Sequence, residues 1–109
     1  MTVAVVLTTV GADFDARSLA HALVEARLAA CVNILPAVHS VYRWEGHVTS
    51  DDEQMLVIKT SDARLEELRE ELFRRHPYDV PEFVVLRVDG VSDAYGAWLL
   101  ESVSLSSRT

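Results

Sequence analysis

The sequence predicts a single α+β domain over residues 1–109, with a four-stranded antiparallel sheet and two helices on one face. The length is that of one ordinary domain. Half of the residues are hydrophobic and a quarter are charged, which is typical of a packed core rather than a disordered chain. Segments of strand and helix periodicity also alternate in the order β-α-β-β-α-β, followed by a short helical segment.

The first half of the chain predicts one strand, one helix and a second strand. Residues 3–8 form a β-branched run of strand length. A helix follows, with Asp13 or Asp15 as its N-cap. Its apolar stripe consists of Leu19, Ala22, Leu23 and Ala26. Strand character resumes at residues 31–35 and continues through 41–44, and Pro36 between them fits an edge strand or a β-bulge.

A hairpin and a second helix are predicted next. The polar cluster at residues 49–52 indicates the hairpin loop, and a third strand covers residues 54–60. Ser61 or Asp62 caps the second helix, whose apolar face holds Leu65, Leu68 and Leu72. This helix ends near His76, because Pro77 disfavours helical geometry in the residue before it.

The last part of the chain completes a ferredoxin-like arrangement. Residues 83–88 predict a fourth strand, and Ser92 opens a short helix with Tyr95, Trp98 and Leu99 on one side. Four strands and two crossover helices in this order fit a split βαβ unit that occurs twice. The two main helices then cover one face of the sheet and leave the other face open.

The open face predicts self-association. A strand with one solvated face alternates apolar and polar residues, but residues 3–7, 55–58 and 83–86 are apolar on both sides. The terminal helix is too short to cover a whole face. A large apolar patch marks an interaction surface, so we expect burial against copies of the same chain. The alternative is a tighter wrap of this face by the terminal segment alone.

Composition argues against several classes of function. The net charge of −7 disfavours nucleic acid and anionic membranes as partners. The apolar runs are far too short to span a bilayer, and no basic region precedes one as in a signal peptide. Cys31 is the single cysteine, so no internal disulfide is possible and we expect a cytoplasmic location.

No catalytic or metal-binding motif stands out. Four histidines, one cysteine and several acids are present, but without CxxC, HExxH or paired histidine spacing. A lone histidine is more often a surface or hydrogen-bonding residue than a ligand. Cys31 is most simply a small core residue, and residues 51–53 a solvated acidic turn. The chain also has no glycine-rich phosphate loop and no GxSxG elbow.

Several stretches taken together nevertheless resemble one family across nearly the whole chain. They are Thr8-Thr9, residues 28–34 with Pro36, residues 40–46, Glu53, Lys59-Thr60, residues 76–82 and Tyr95-x-x-Trp98-Leu99. In order and spacing they resemble the CutA family of divalent-cation tolerance proteins. The resemblance implies a ferredoxin-like protomer in a compact homotrimer, in which the hairpin reaches onto a neighbour and the sheets face inward. It also implies a link to copper and other divalent metals, with no reaction established for the family.

Two readings of function follow from these observations. The first is a non-enzymatic, cytoplasmic homotrimer that takes part in divalent-metal tolerance. With one cysteine per chain, we expect weak Cu(II) or other divalent binding by histidine and carboxylate. Cys31 and His76 are the candidate ligands, and folding requires no metal because no closed four-ligand set is present.

The second reading is a small-molecule sensor or an enzyme with a pocket between subunits. Its candidate residues are Tyr42, Trp44, Lys59, His76, Tyr78, Glu82 and Trp98. The polar members of this set equally fit a structural network that stabilises the trimer. A third possibility is a scaffold whose partners bind the outer surface.

Overall fold

A computed structural model describes residues 2–105 and contains every predicted element. The elements are β1 (Val3–Gly11), α1 (Ala16–Glu25), β2 (Cys31–Trp44), β3 (His47–Ser61), a 3-10 turn (Asp62–Arg64), α2 (Leu65–Arg75), β4 (Val84–Arg87) and α3 (Asp93–Ser102). Within residues 2–105, no helix is both long and apolar enough to cross a membrane.

The sheet has the strand order β2-β3-β1-β4, and all neighbouring strands are antiparallel. β1 and β2 are therefore parallel, with β3 inserted between them, and β3 and β4 are parallel, with β1 inserted between them. Each crossover helix thus belongs to a split βαβ unit. The predicted α+β class and strand arrangement are confirmed.

The main core lies between the sheet and the two longer helices. Val6 and Val10 of β1 and Leu56 and Ile58 of β3 are fully buried on this face. The helices bury Ala16, Leu19, Leu23, Leu68 and Leu72 against them. The predicted α1 stripe was wrong at Ala22 and Ala26: α1 ends at Glu25, so Ala26 is the exposed C-cap, and Ala22 is only half-buried.

The helix ends follow from local hydrogen bonding. Asp15 caps α1, because its Oδ1 accepts a hydrogen bond from the backbone N–H of Ser18 at 3.0 Å. α2 ends at Arg75, and His76 adopts an extended backbone before Pro77, as predicted. Asp62 has a different role from the predicted cap, since its carboxylate accepts two hydrogen bonds from Thr2, each 3.0 Å long.

The β2–β3 hairpin turns at a different place from the predicted one. Glu45 and Gly46 have φ of 50° and 82°, which is the pattern of a two-residue type I′ turn. Residues 49–52, the predicted loop, instead lie within β3 and pair with residues 39–42. β1 pairs with β3 only as far as Glu53. The outer hairpin therefore extends beyond the sheet as a two-stranded ribbon. Its residues are largely polar because, within one chain, both faces of the ribbon contact solvent.

A β-bulge in β2 changes which residues face the open side of the sheet. Leu35 pairs with Met55 and Val38 pairs with Glu53, so three steps on β2 match two on β3. Before the bulge, the odd-numbered residues of β2 share the face of Met55; after it, the even-numbered residues do. The bulge adjoins Pro36 in an edge strand, as the sequence predicted.

The face opposite α1 and α2 is only partly covered. At one end, Leu99 and Val103 pack on Val3 and Ala30. Leu86 and Val84 of β4 remain 45% and 44% exposed on this face. The terminal segment, as far as residue 105, therefore does not wrap the open face, and the apolar patch predicted from the sequence is present.

Candidate functional site

A cleft of about 620 Å³ lies where the ribbon leaves the sheet. Its volume is within the range of ordinary ligand pockets, about 300–1,000 Å³. It is lined by Thr9, Ser40, Tyr42, Trp44, Asp51, Glu53, Met55, Pro77, Tyr78, Asp79, Val80 and Glu82.

Strand alternation and the bulge build the floor of the cleft. Asp51, Glu53 and Met55 lie on the open face of β3, because side chains two residues apart share a face. Ser40 pairs with Asp51, so Tyr42 and Trp44 project to the same face. Without the extra residue of the bulge, the odd-numbered residues 39, 41 and 43 would face the cleft instead of Ser40, Tyr42 and Trp44.

The segment between α2 and β4 forms the other wall. β4 pairs with β1 only from Ala4 to Leu7, so the end of β1 has a free edge. His76 binds this edge: its Nε2–H donates to the carbonyl oxygen of Thr9 at 2.9 Å, and Thr8 Oγ1 lies 3.3 Å from the same nitrogen. The backbone N–H of Tyr78 donates to His76 Nδ1 at 3.1 Å.

These hydrogen bonds require a neutral imidazole with its proton on Nε2. Burial lowers the pKa of His76, while the bond to Thr9 and the charges of Glu53 and Glu82 partly oppose that shift. Both ring nitrogens already have partners in the chain. His76 therefore supports the cleft wall from behind, and metal ligation would require one of its hydrogen bonds to break.

Hydroxyl groups hold three of the four carboxylates in the cleft. Tyr78 donates to Glu53 Oε2 at 2.6 Å, Thr9 donates to Glu82 Oε1 at 3.3 Å, and Tyr42 donates to Asp51. Burial, followed by the bond to Glu53, raises the pKa of Tyr78. The bond to Asp51 is the main cause of the raised pKa of Tyr42. Both phenols thus stay protonated donors beside the carboxylates.

The acidic residues 51–53 were misread as a solvated turn. Glu53 is only 8% exposed and is bound by Tyr78, and Asp51 faces the cleft. Asp51 and Asp52 are exposed, as expected, but both lie in β3 rather than in a turn. Asp52 lies beside His39, with Oδ1 2.9 Å from Nδ1. Three adjacent acids suggest a turn by composition, but in a strand they alternate between two faces.

The structure divides the seven predicted pocket residues into two groups. Tyr42, Trp44, Tyr78 and Glu82 line the cleft, with His76 behind them. Lys59 of β3 and Trp98 of α3 lie outside it, in a cluster with Tyr95. The Lys59 ammonium lies 6.0 Å from the Tyr95 ring centroid, and the Tyr95 and Trp98 rings are 5.3 Å apart.

Five polar residues of the cleft were not singled out as pocket candidates: Thr9, Ser40, Asp51, Glu53 and Asp79. Ser40 and Asp51 are found only when the hairpin turn and the bulge are placed correctly, because these fix which face each residue occupies. Thr9, Ser40, Glu53 and Asp79 belong to the stretches that resemble the family, whereas Asp51 does not.

The two predicted metal ligands lie apart in one chain. Cys31 is partly exposed on the open face, rather than in the core, and its thiol donates to Asn33 Oδ1 at 3.7 Å. It pairs with Lys59, whereas Thr9, the partner of His76, pairs with Met55. These positions are four residues apart along β3, which is about 14 Å at 3.4 Å per residue. Across residues 2–105, no three His, Cys, Asp or Glu side chains are grouped to hold a metal ion.

Comparison with known proteins identifies the family. Residues 4–102 match the family described as CutA1 divalent ion tolerance protein. The chain belongs to the CutA family. It is 47% identical to the divalent-cation tolerance protein CutA of Thermus thermophilus over 90% of this chain and 95% of that protein. It is 48% identical to the chloroplastic protein CutA of Arabidopsis thaliana over 90% of this chain, but spans only 54% of that protein.

Solved structures of CutA proteins share the fold. The divalent cation tolerance protein of Thermus thermophilus matches with a TM-score of 0.90 and 45% identity, covering 94% of this chain and all of that one. CutA1 of Ehrlichia chaffeensis matches with a TM-score of 0.88 at 26% identity, covering 95% of this chain and 97% of that one. The arrangement is therefore kept where the sequences have diverged widely.

Proposed function

We propose that the chain acts in divalent-cation tolerance as a non-enzymatic homotrimer of the cytoplasm. The observation that carries this proposal is the family match over residues 4–102, together with relatives named divalent-cation tolerance proteins at 41–47% identity. The single cysteine, which forms no internal disulfide, supports a reducing compartment.

The open sheet face supports the trimer. It presents apolar side chains from all four strands, including Leu35, Val57, Leu7 and Leu86, and Leu35 is 41% exposed. Burial of apolar area contributes about 25 cal/mol per Å². Copies of the chain that share this face thus gain stability that a monomer lacks.

The metal bound is proposed to be Cu(II) or another divalent ion, held weakly by histidine and carboxylate. The exposed His39–Asp52 pair on the ribbon offers one imidazole and one carboxylate, which both suit Cu(II). The alternative is a shared thiolate site, since Cys31 lies partly exposed on the open face of each subunit. Folding needs no metal, and an unchanged circular dichroism spectrum after exhaustive chelation is the expected result.

A growth assay tests the tolerance role. The chain is expressed in a bacterial strain that lacks its own CutA gene, and growth is measured across copper, zinc and cobalt concentrations. We expect restored tolerance to at least one metal compared with empty vector. Equal growth at every concentration, with the folded chain present in the cells, would contradict the proposal.

Calorimetric titration with Cu(II) tests how the metal is held. His39→Gln is expected to weaken binding, while Cys31→Ser and His76→Ala leave it near the wild-type value. If Cys31→Ser alone abolished tight binding at one metal per trimer, the histidine–carboxylate proposal would be wrong and a shared thiolate site would replace it.

The cleft favours a second candidate function, the binding of a small molecule by a sensor or enzyme. Its supporting observation is the volume of about 620 Å³ with convergent polar side chains. A thermal-shift screen of small molecules tests it, since a ligand that prefers the folded state raises the apparent stability. No shift for any class of compound would count against this candidate.

A further inference from the structure

The charge in the cleft is of one sign. Four of its twelve lining residues are the acids Asp51, Glu53, Asp79 and Glu82, and none is Lys, Arg or His. The surrounding chain carries a net charge of −7, which adds a diffuse field of the same sign. An anionic ligand would be repelled at close range, and a neutral ligand would leave the carboxylates without a counter-charge.

Aromatic surface faces the same space. Tyr42, Trp44 and Tyr78 line the cleft and remain 39%, 50% and 38% exposed. The two tyrosine hydroxyls are held by Asp51 and Glu53, so these rings are fixed at their polar ends. Electron-rich ring faces attract cations, and indole attracts them most strongly.

These features suit an organic cation better than a metal ion. A hard metal ion takes six or more oxygen ligands, but here hydroxyl donors already bind three of the carboxylates. No imidazole or thiol lines the cleft for a softer metal. An alkylammonium group needs no vacant lone pair, because its methyl or methylene groups pack on rings while its charge is balanced at longer range.

We propose that the cleft binds a small organic cation, with its alkylammonium group against Tyr42, Trp44 and Tyr78 and its charge balanced by the cleft carboxylates. This proposal rests on the second candidate function, small-molecule binding. It names the chemical class that the cleft selects.

The test compares two molecules of nearly equal shape, choline and its uncharged isostere 3,3-dimethylbutan-1-ol. Each is titrated into the 109-residue chain by calorimetry in sodium phosphate, because Tris is itself an ammonium compound. We expect choline to bind at least about tenfold more tightly than the alcohol, since only choline gains the cation–π and carboxylate interactions.

Matched variants locate the binding. Trp44→Leu removes a ring from the exposed ribbon, and Glu82→Gln removes a charge while keeping an oxygen for Thr9. Each is expected to weaken choline binding by about tenfold. Glu25→Gln, an exposed acid on α1, is the control and leaves binding unchanged. Circular dichroism and light scattering confirm that every variant keeps its fold and mass.

The outcomes distinguish failure of the organic-cation proposal from failure of small-molecule binding in general. Equal binding of choline and the alcohol, both weakened by Trp44→Leu, would overturn the choice of cations but keep a small-molecule cleft. Choline binding unaffected by both cleft variants would overturn the proposal, because the site would lie elsewhere. If choline does not bind, the proposal fails, and the thermal-shift screen then decides whether the cleft binds any small molecule.

Discussion

His76 connects three parts of the molecule through one side chain. It follows the end of α2, binds the free edge of β1 through Thr9, and accepts a hydrogen bond from Tyr78 in the cleft wall. The same contacts that position the wall also fix the protonation state of the ring. A residue that looks like a metal ligand in the sequence is thus a structural connector within the chain.

This role predicts an acid-sensitive stability. Burial lowers the pKa of His76 in the folded chain, whereas the unfolded chain protonates it below its ordinary value of about 6.5. Unfolding therefore takes up a proton, and the free energy of unfolding falls as the pH drops through about 6.5. Asp62 and Glu71, whose pKa values are lowered by hydrogen bonds to Thr2 and to Arg75 and Arg74, act only at lower pH.

Denaturant unfolding between pH 7.5 and 5.5, at one protein concentration, measures the effect. We expect the wild type to lose stability across this range. His76→Gln should be less stable at pH 7.5 but less dependent on pH. His21→Gln, on an exposed face of α1, should follow the wild type. A pH dependence of His76→Gln equal to the wild type would show that another group is responsible.

At the scale of elements, the sequence predicted the periodic helices and strands but not the position of the hairpin turn. The helices and the inner strands follow from periodic apolar residues that face one core. The position of the hairpin turn does not, because an exposed ribbon and a loop have the same polar composition. The turn at Glu45–Gly46 and the bulge at residues 36–37 each fix the face of every residue that follows.

The residues of the cleft were likewise predicted only in part from the sequence. Tyr42, Trp44, Tyr78 and Glu82 were named from the sequence as pocket candidates and meet in one cleft. Their partner Glu53 was assigned to a turn, although its burial is what anchors Tyr78. Lys59 and Trp98 were grouped with them but lie toward the other end of the open face. Residue type alone did not predict their distance from the cleft.

The hairpin turn predicts a contrast between two glycines. Gly46 has a φ of 82°, in the left-handed region, and added side chains are strained there by about 1–2 kcal/mol. Gly46→Ala should lower the free energy of unfolding by about that amount. Gly90→Ala is the control, because its backbone φ lies outside that region and a Cβ meets no atom within 4 Å.

Glu45→Asn extends this test in the opposite direction. Glu45 has a φ of 50°, which asparagine tolerates better than glutamate. This variant should match or exceed wild-type stability in urea unfolding. Equal losses for Gly46→Ala and Gly90→Ala would show that the turn conformation contributes nothing to stability.

The whole molecule has two unequal sides. The helix side is closed by a continuous core, and the opposite side leaves apolar strand residues between the cleft and α3. The cleft and the Tyr95–Trp98 cluster lie toward opposite ends of that open side. If the face is shared between copies, both aromatic clusters border the contact. The α3 cluster of one chain can then lie close to the cleft of a neighbouring chain.

Two residues of almost equal exposure test whether the open face assembles the trimer. Leu86 on the open face is 45% exposed and Val24 on the outer side of α1 is 42% exposed. An aspartate at either position costs a monomer little, because both sites already contact water. In a trimer built on the open face, the charge of Leu86→Asp would be buried without a partner, which is strongly unfavourable.

Light scattering should therefore give three times the 12.1 kDa chain mass for the wild type and for Val24→Asp. Leu86→Asp should give a lower mass, or unfold at a concentration that leaves Val24→Asp folded, because its stability no longer includes the shared face. Circular dichroism separates dissociation from unfolding. A monomeric wild type, or equal behaviour of the two aspartate variants, would remove the open face as the assembly surface.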